Sequence, residues 1–235
     1  MQLSTGFRGM GDPALVVSRV GKSFGSRDGR VYEVLREVSF SVAAGELIGV
    51  TGRSGSGKTT MLRILAGIDP PSAGAVSAVS PPVLVFQDAR VFPWRTVAEH
   101  FALIRQDDEW RDSVCRAFSL DRYLDKPAWQ LSIGTQKRLI IALALSLRPA
   151  VLLLDEALSS VDLETKLRIE GAIRSYVAES RAAAVVVSHD VGELGRLTDR
   201  VLLLGRAPAT VVATYTLPQE LAAFQRSLVT GTPHV

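Results

Sequence analysis

The chain has 235 residues, of which 47% are hydrophobic and 22% are charged, and its formal net charge is +3. Such a chain can bury a substantial core, as one domain or one domain with a subdomain, and long disordered regions are not expected. The small net charge permits a nucleic-acid surface without requiring one. The one cysteine, Cys115, excludes an internal disulfide and argues against a zinc site. We expect it to be a small buried apolar residue.

Two segments bear on targeting and membranes. Residues 1–13 are rich in Gly, Ser and Met and lack the apolar core of a signal peptide, which predicts a flexible leader. The longest apolar region, residues 139–154, is interrupted by Arg148-Pro149 and falls short of the ~20 apolar residues that span a bilayer. Any membrane association is therefore expected to depend on a partner.

The first predicted elements are two strands, at residues 14–24 and 34–42. Both contain β-branched residues with partial alternation, and the turn-rich segment 25–29 separates them, so we expect an antiparallel pair. Further along, residues 68–82 are rich in Pro, Ser, Gly and Ala and predict a loop or a weak strand.

A phosphate-binding loop is predicted where the apolar strand that begins at Leu47 meets a helix over roughly residues 58–66. The spacing G-x-x-x-x-G-K-T runs from Gly52 to Thr59, and the strand-then-helix context that this motif requires is present. The glycines let consecutive N–H groups point at phosphate oxygens, Lys58 can reach the β- and γ-phosphates, and the Thr59 hydroxyl can bind Mg²⁺. The alternative, a glycine-rich turn with a chance lysine, explains neither the spacing nor the context.

Three further apolar runs each end in polar side chains. Open α/β sheets place their ligands at the carboxyl ends of the strands, so these side chains are expected at one site. Of two adjacent carboxylates there, one can hold a magnesium ion while the other polarises a water for attack on phosphorus. The runs are residues 83–86 followed by Gln87, residues 151–154 followed by Asp155 and Glu156, and residues 183–187 followed by His189.

Helical periodicity is found mainly in the second half of the chain. Aromatic residues at helical spacing between residues 96 and 124 predict a small helical insert with those rings in its core. The C-terminal twenty residues look peripheral. The other predicted elements are helices at 131–147, 161–176 and 219–228 and strands at 201–204 and 210–215.

The order of these motifs resembles the ATP-binding subunit of ATP-binding-cassette (ABC) transporters over nearly the whole chain, from about Leu15 to Leu204. The resemblance identifies residues 52–59 as the Walker A loop, residues 151–155 as the Walker B strand and Glu156 as the catalytic carboxylate. It identifies Gln87 as the Q-loop, residues 159–162 as the D-loop and His189 as the switch histidine. Residues 131–135 correspond to the signature, and Phe24 corresponds to the aromatic that stacks on adenine.

This resemblance implies an α/β fold of the P-loop NTPase (ABC ATPase) class. It has a mostly parallel sheet core, an N-terminal antiparallel β subdomain and a small helical subdomain. We expect a flexible leader at residues 1–13, the ABC ATPase domain at 14–215 with its helical subdomain at about 88–148, and a peripheral segment at 216–235.

The resemblance also implies ATP and Mg²⁺ as cofactors. The expected catalytic residues are Glu156, His189, Gln87 and Lys58. The expected magnesium ligands are Thr59, Gln87 and Asp155. The expected nucleotide contacts are Phe24, Gly52, Arg53, Ser54, Gly55, Ser56, Gly57, Lys58, Thr59 and Thr60, with Ser132 and Gly134 reaching the nucleotide across a dimer.

Within the family, residues 86–97 and the segment after His189 are similar to importer ATPases for nitrate, sulfonates and taurine. The implied function is ATP hydrolysis at a dimer interface coupled to import of a small solute. The implied partners are permease subunits, a second ATPase subunit and a soluble binding protein reached through the permease, and no direct contact with nucleic acid is expected. The implied location is the cytoplasmic face of the membrane, with Phe92 and Trp94 lining the groove for the permease.

The signature segment departs from the family pattern Leu-Ser-Gly-Gly-Gln. Ile133 and Thr135 replace the first glycine and the glutamine, whereas Ser132 and Gly134 are retained. A β-branched residue restricts the backbone where glycine would approach closely, so hydrolysis slower than usual is one expectation.

Two other functions remain open from the sequence. A soluble ABC ATPase that acts on ribosomes or DNA generally has two cassettes or a long coiled-coil insertion, and this sequence shows neither. A small-molecule kinase with a phosphate loop would leave the signature-like segment, Glu156 and His189 without roles.

Overall fold

The computed structural model describes residues 13–25, 29–104, 107–159 and 161–230. The expected leader lies outside the described residues except for Pro13, which begins the first strand. Ser160 of the predicted D-loop also lies outside them.

The strands of the described residues form two sheets. One has three antiparallel strands in the order β2-β1-β4, and the other has six strands in the order β5-β6-β7-β3-β8-β9. The strands are β1 (Pro13–Gly25), β2 (Val31–Ala43), β3 (Leu47–Gly52), β4 (Ala73–Ala78), β5 (Val83–Val85), β6 (Val151–Asp155), β7 (Ala183–Val187), β8 (Arg200–Leu204) and β9 (Val211–Thr216).

Helices pack against the larger sheet, and three of those in the described residues follow one another in sequence between β5 and β6. Over the described ranges they are α1 (Lys58–Leu65), α2 (Val97–Ala102), α3 (Asp108–Ala117), α4 (Ile133–Ser146), α5 (Leu163–Ser180), α6 (Val191–Leu197) and α7 (Leu221–Thr230), with short 3₁₀ turns at Asp121–Tyr123 and Ala128–Gln130. Within the described part of the chain, we find no helix with the length and apolar character that crossing a bilayer requires.

The six-stranded sheet is parallel from β5 to β8 and ends in an antiparallel pair, β8 and β9. The predicted α/β fold with a mostly parallel core and an N-terminal antiparallel sheet is therefore confirmed. The division into domains and the helical subdomain at about 88–148 stay a prediction.

Alternate residues of the central strands face two separate cores, as the two-residue repeat of a strand requires. On β6, Val151 and Leu153 pack with α1 and the antiparallel sheet. Leu152 and Leu154 pack on the other side with the helices of the insert and α5. Because both faces are covered, the strand is apolar from Val151 to Leu154, and this is why the run was recognisable in the sequence.

Several predicted boundaries were wrong by a few residues. The helix predicted at 161–176 begins at Leu163, because the Asp162 side chain accepts a hydrogen bond from the N–H of Thr165 and caps it, and it continues to Ser180. The run at 83–86 forms a strand only to Val85, and it is half-buried because it lies at the sheet edge with β6 as its neighbour.

The C-terminal segment packs against the rest of the fold, whereas the sequence predicted a peripheral segment. Phe224 on α7 is fully buried, and its ring centroid lies 5.5 Å from that of Tyr215 on β9. Together with Leu194, Val201 and Leu217 these residues form a third, smaller core. Burial of one large aromatic ring stabilises such a segment by a few kcal/mol (~25 cal/mol per Å² of apolar surface).

Candidate functional site

A cavity of about 550 Å³ opens at the carboxyl edge of the parallel sheet. The neighbouring strands β5, β6, β7 and β3 all end at this edge, so the segments that follow them meet there although they are far apart in sequence. The cavity is lined by Val34, Gly52, Ser54, Gly55, Gly57, Lys58, Thr59, Thr60, Gln87, Glu156 and His189.

The glycines of the phosphate loop are required by the backbone that the loop adopts. Gly55 and Gly57 have φ values of 78° and 85°, in the left-handed region that favours glycine. At Gly57 a Cβ would also lie 2.7 Å from Cγ1 of Val34, so the β1-β2 sheet approaches too closely for a side chain. Gly57 caps α1, so the positive end of that helix faces the cavity, an arrangement that favours an anion.

Lys58 lies folded across the loop that precedes it. Its Nζ donates to the carbonyl oxygens of Gly52, at 2.9 Å, and Arg53, at 3.1 Å. Burial lowers the pKa of Lys58, and the nearby charges of Glu156 and Asp155 partly oppose this. The ammonium therefore lies in a partly desolvated position, where attraction to a phosphate is stronger than in water.

Asp155 and Thr59 offer oxygen atoms of the kind that Mg²⁺ prefers. Burial raises the pKa of Asp155, and a hydrogen bond from the Thr59 side chain opposes the shift. Among the described residues we find no cluster of three or more His, Cys, Asp or Glu side chains that could hold a metal. Magnesium at phosphate sites needs no such cluster, since phosphate oxygens and water complete its coordination, and this hydroxyl-carboxylate pair fits that arrangement.

Glu156 lies between two polar side chains from neighbouring strands. Its Oε2 is 3.3 Å from Nε2 of Gln87 and 3.3 Å from Nδ1 of His189. The backbone of Glu156 has a φ of 45°, a left-handed conformation that costs a non-glycine residue about 1 kcal/mol or more and that is typical of functional positions. Its N–H donates to the Val187 carbonyl at 3.0 Å, which attaches it to the end of β7.

Five of the expected nucleotide contacts do not line this cavity. Arg53 borders a neighbouring cavity of about 560 Å³ that also touches His189. The Ser56 hydroxyl is buried without a hydrogen-bond partner among the described residues. The other three are Phe24, Ser132 and Gly134.

Phe24 lies at the end of β1, opposite Tyr32 on β2, with 43% of its surface exposed. Phe24 is therefore not packed in the core. The Nζ of Lys22 lies 5.0 Å from the centre of its ring. A base could stack on this exposed ring, although the ring is separate from the residues that line the phosphate cavity.

Ser132 is the N-cap of α4, and its hydroxyl accepts a hydrogen bond from the N–H of Thr135. Gly134 lies in the first turn of the helix. Ile133 is 68% exposed, so the isoleucine that replaces the family's glycine points toward solvent and not into the core.

Two residues that border or support the site were missed. Val34 lines the cavity from β2, and a strand valine carries no signal that distinguishes it from a core residue. Lys137 on α4 donates from its Nζ to the carbonyl oxygen of Gln87 at 2.6 Å, and so connects the signature helix to the Q-loop segment. In the sequence, a basic residue five positions after Ser132 gives no indication of this contact.

An exposed aromatic pair follows Gln87. Phe92 and Trp94 are 49% and 70% exposed, and their ring centroids lie 5.7 Å apart. His100 stacks against Phe92 from α2, and its Nε2 accepts a hydrogen bond from the N–H of Phe92 at 3.0 Å. Its Nδ1 donates to the Thr96 carbonyl oxygen at 2.7 Å. Phe92 and Trp94 therefore lie at the surface and are not part of the core.

A sequence model of the family described as "ABC transporter" matches residues 35–159. The chain is 38% identical over 202 residues to an aliphatic sulfonates import ATP-binding protein of Pseudomonas fluorescens, covering 81% of this chain and 73% of that protein. It is 37% identical over 198 residues to the protein of the same description from Escherichia coli, covering 79% and 77%.

The fold is similar to that of a solved bacterial ABC transporter cassette, MJ0796, in its dimeric structure. The TM-score is 0.76, the sequence identity is 24%, and the match covers 86% of this chain and 98% of that one. At this identity the likeness bears on the fold alone.

Proposed function

This chain belongs to the ABC transporter family, and from that premise we propose that it is the ATP-hydrolysing subunit of an importer for aliphatic sulfonates or closely similar small anions. ATP binding and hydrolysis follow from membership of the family. The choice of solute is proposed from the relatives, since several are described as aliphatic sulfonate importers. A small-molecule kinase and a soluble ATPase acting on nucleic acid have no comparable support.

We assign the nucleotide's phosphates to the loop from Gly52 to Thr60. The loop N–H groups and the positive end of α1 bind the phosphate oxygens, and Lys58 supplies the neutralising charge. Because Lys58 already lies within hydrogen-bond distance of two loop carbonyls, a small movement of its ammonium brings it to the β- and γ-phosphates.

We propose that Thr59, Asp155 and Gln87 hold Mg²⁺, directly or through water. When bound, the ion neutralises charge on the transferring phosphoryl group. The protein's share is to hold the Thr59 hydroxyl beside the buried Asp155 carboxylate, and to present the Gln87 amide at the same cavity.

Glu156 is the proposed base that orients the attacking water. Its carboxylate lies in the cavity beside His189, so a water hydrogen-bonded to it would lie next to the γ-phosphate bound by Lys58. His189 is proposed to contact that phosphate and thereby stabilise the charge that develops on it.

The second half of the site is assigned to another copy of the chain or to a homologue. Ser132 and Gly134 do not line the cavity of their own chain, and their helix terminus is exposed at Ile133. In a head-to-tail dimer they would cover the γ-phosphate bound by the partner. ATP would then favour the closed dimer, and hydrolysis would remove that preference, which is a population shift driven by differential affinity.

We propose that the chain is held at the membrane by its contact with the permease. The exposed pair Phe92 and Trp94 provides large apolar surface close to Gln87 in sequence, suited to a helix docking in a groove. The chain would therefore lie peripherally on the cytoplasmic face of the membrane, and a soluble binding protein would communicate with it only through the permease.

The observation that carries the proposal is the meeting of Lys58, Gln87, Glu156 and His189 in one cavity, from segments that follow four different strands. The test is purification of the chain with its membrane partners, reconstitution in vesicles, and measurement of ATP-dependent uptake of an alkanesulfonate, taurine and nitrate. Uptake of the sulfonate supports the proposal. ATP hydrolysis with uptake of an unrelated solute would refute the assigned solute, and absence of hydrolysis would refute the assigned site.

A further inference from the structure

Three side chains form a connected series at the start of α4. Nη2 of Arg138 lies 2.9 Å from Oγ1 of Thr135, and that oxygen lies 2.9 Å from Oγ of Ser132. Thr135 and Arg138 are buried, with 3% and 7% of their surfaces exposed. Thr135 occupies the position where the family pattern has glutamine, so the series is a property of this chain and not of the general motif.

Arg138 is held in place by the backbone of the helical insert. Its Nη1 donates to the carbonyl oxygen of Phe118 at 2.9 Å and makes a longer contact, 3.3 Å, with that of Ser119. A guanidinium group has donors only, so in its contact with Thr135 the arginine donates and the hydroxyl oxygen accepts.

The direction of the next hydrogen bond follows from this. The Thr135 hydroxyl has one hydrogen, and in the described part of the chain its side-chain neighbours are Arg138 and Ser132. Leaving a buried hydroxyl hydrogen unused costs about 1–3 kcal/mol, so that hydrogen is directed to Oγ of Ser132. Ser132 Oγ also accepts the N–H of Thr135 at 3.2 Å.

With both acceptor positions of Ser132 in use, its own hydrogen is directed away from the helix. We propose that Thr135 and Arg138 are positioning residues that keep the Ser132 hydroxyl oriented as a donor to the γ-phosphate of ATP held by the partner subunit. The inference rests on the proposed function. A phosphate at neutral pH is chiefly an acceptor, so the donor orientation is the productive one, and the arginine charge strengthens the donor through the intervening hydroxyl.

The test uses ATP-dependent dimerisation in a Glu156→Gln background, where slow hydrolysis lets a closed dimer accumulate. We expect Thr135→Val, which keeps the shape and removes the hydroxyl, to raise the ATP concentration for half-maximal dimerisation by about 3- to 10-fold, the value of one ordinary hydrogen bond. Thr135→Ser retains the hydroxyl and should restore the original value. Ser146→Ala is the matched control, because it removes another buried hydroxyl from the same helix, one that donates to the Ala142 carbonyl.

A double-variant cycle separates positioning from a structural role. Ser132→Ala should weaken dimerisation more than Thr135→Val does, and adding Thr135→Val to Ser132→Ala should change nothing further. An equal loss from Thr135→Val with and without Ser132, or no loss at all, overturns the inference and leaves the proposed dimer intact. No effect of Ser132→Ala would refute the proposed dimer contact as well.

Discussion

Glu156 and His189 face each other at 3.3 Å, from the ends of the neighbouring strands β6 and β7. The pairing of these strands holds the two side chains together, and the N–H of Glu156 donates to the carbonyl of Val187, which fixes the backbone of the carboxylate residue as well. The base and the phosphate-binding group that we propose would therefore reach the same γ-phosphate without a large rearrangement of either strand.

Replacement of Glu156 by glutamine should leave ATP binding intact and lower turnover. The amide keeps the size of the side chain and removes its basicity, so a fall of about 10²- to 10⁴-fold is expected. Nucleotide binding and phosphate release measured on the same preparation check this. Turnover within a factor of two of the parent chain would show that Glu156 is not the base.

Replacement of Ile133 by glycine should increase hydrolysis. The isoleucine is 68% exposed at the first turn of α4, at the surface that we assign to the partner's nucleotide. In the proposed dimer its branched side chain would keep the two backbones apart. The same change should lower the free energy of unfolding by about 0.5–1 kcal/mol, because glycine is a poor helix former.

The measurement is turnover in the presence of the partner subunits, with a urea unfolding curve for each variant. Leu163→Gly, at the exposed first position of α5, is the matched control for the cost of glycine in a helix. Unchanged or lower turnover in Ile133→Gly would show that the site has adapted to isoleucine.

Replacement of Lys166 by methionine should destabilise the fold by about 3–5 kcal/mol, the cost of removing one partner of a buried ion pair. Nζ of Lys166 lies 2.8 Å from Asp190 Oδ2 and 3.2 Å from Glu193 Oε2, and the Glu193 side chain is 3% exposed. Arg168→Met on the same helix is the control, because its pair with Glu164 is exposed and should contribute at most about 1 kcal/mol.

The loss of folding stability caused by Lys166→Met should depend on pH. Burial raises the pKa of Glu193, and Lys166 opposes that shift, so removing the lysine raises this pKa further. An acid whose pKa is higher in the folded state than in the unfolded one destabilises the fold as pH rises above the unfolded value, about 4.3 for glutamate. Loss of the lysine also removes the hydrogen bond that holds the pKa of Asp190 low, which acts in the same direction.

Urea unfolding of both variants between pH 4 and pH 8 tests this sign. The difference in the free energy of unfolding between Lys166→Met and the parent chain should increase with increasing pH. The free energy of unfolding of Arg168→Met should stay close to that of the parent chain at each pH. A difference that decreases with increasing pH would contradict the assigned coupling of Lys166 to Asp190 and Glu193.

Cys115 should resist labelling in the folded chain. Burial raises the pKa of its thiol to about 11, so at pH 8 only about one thiol in a thousand is ionised, compared with roughly a quarter for a free cysteine of pKa about 8.5. We expect reaction with a thiol reagent to be at least 100-fold slower than in urea, on the basis of thiolate fraction alone. Because the chain has one cysteine, the label reports one position, and rapid stoichiometric labelling of the native chain would contradict the prediction.

Much of the fold was predictable because strong local patterns coincide with the elements. The strand that ends at Asp155 was recognisable since its first four residues are all apolar, and the helix that follows Gly57 since a spaced glycine-lysine motif precedes it. The edge strand near Val83 was harder to predict because its burial depends on which strand becomes its neighbour. The attachment of α7 through Phe224 was missed because a single aromatic residue does not identify its partner.

The sequence by itself determined which chemical groups are available: a phosphate loop, polar residues after apolar strands, and a modified signature segment. The tertiary structure decided which of them meet. Gln87, Glu156 and His189 converge on one cavity because parallel strands end at the same edge, whereas Ser132 comes to lie elsewhere on its own chain. The hydrogen bond from Arg138 to the carbonyl oxygen of Phe118, and the left-handed backbone of Glu156 beside the end of β7, depend on packing between distant segments, which no local pattern of residues encodes.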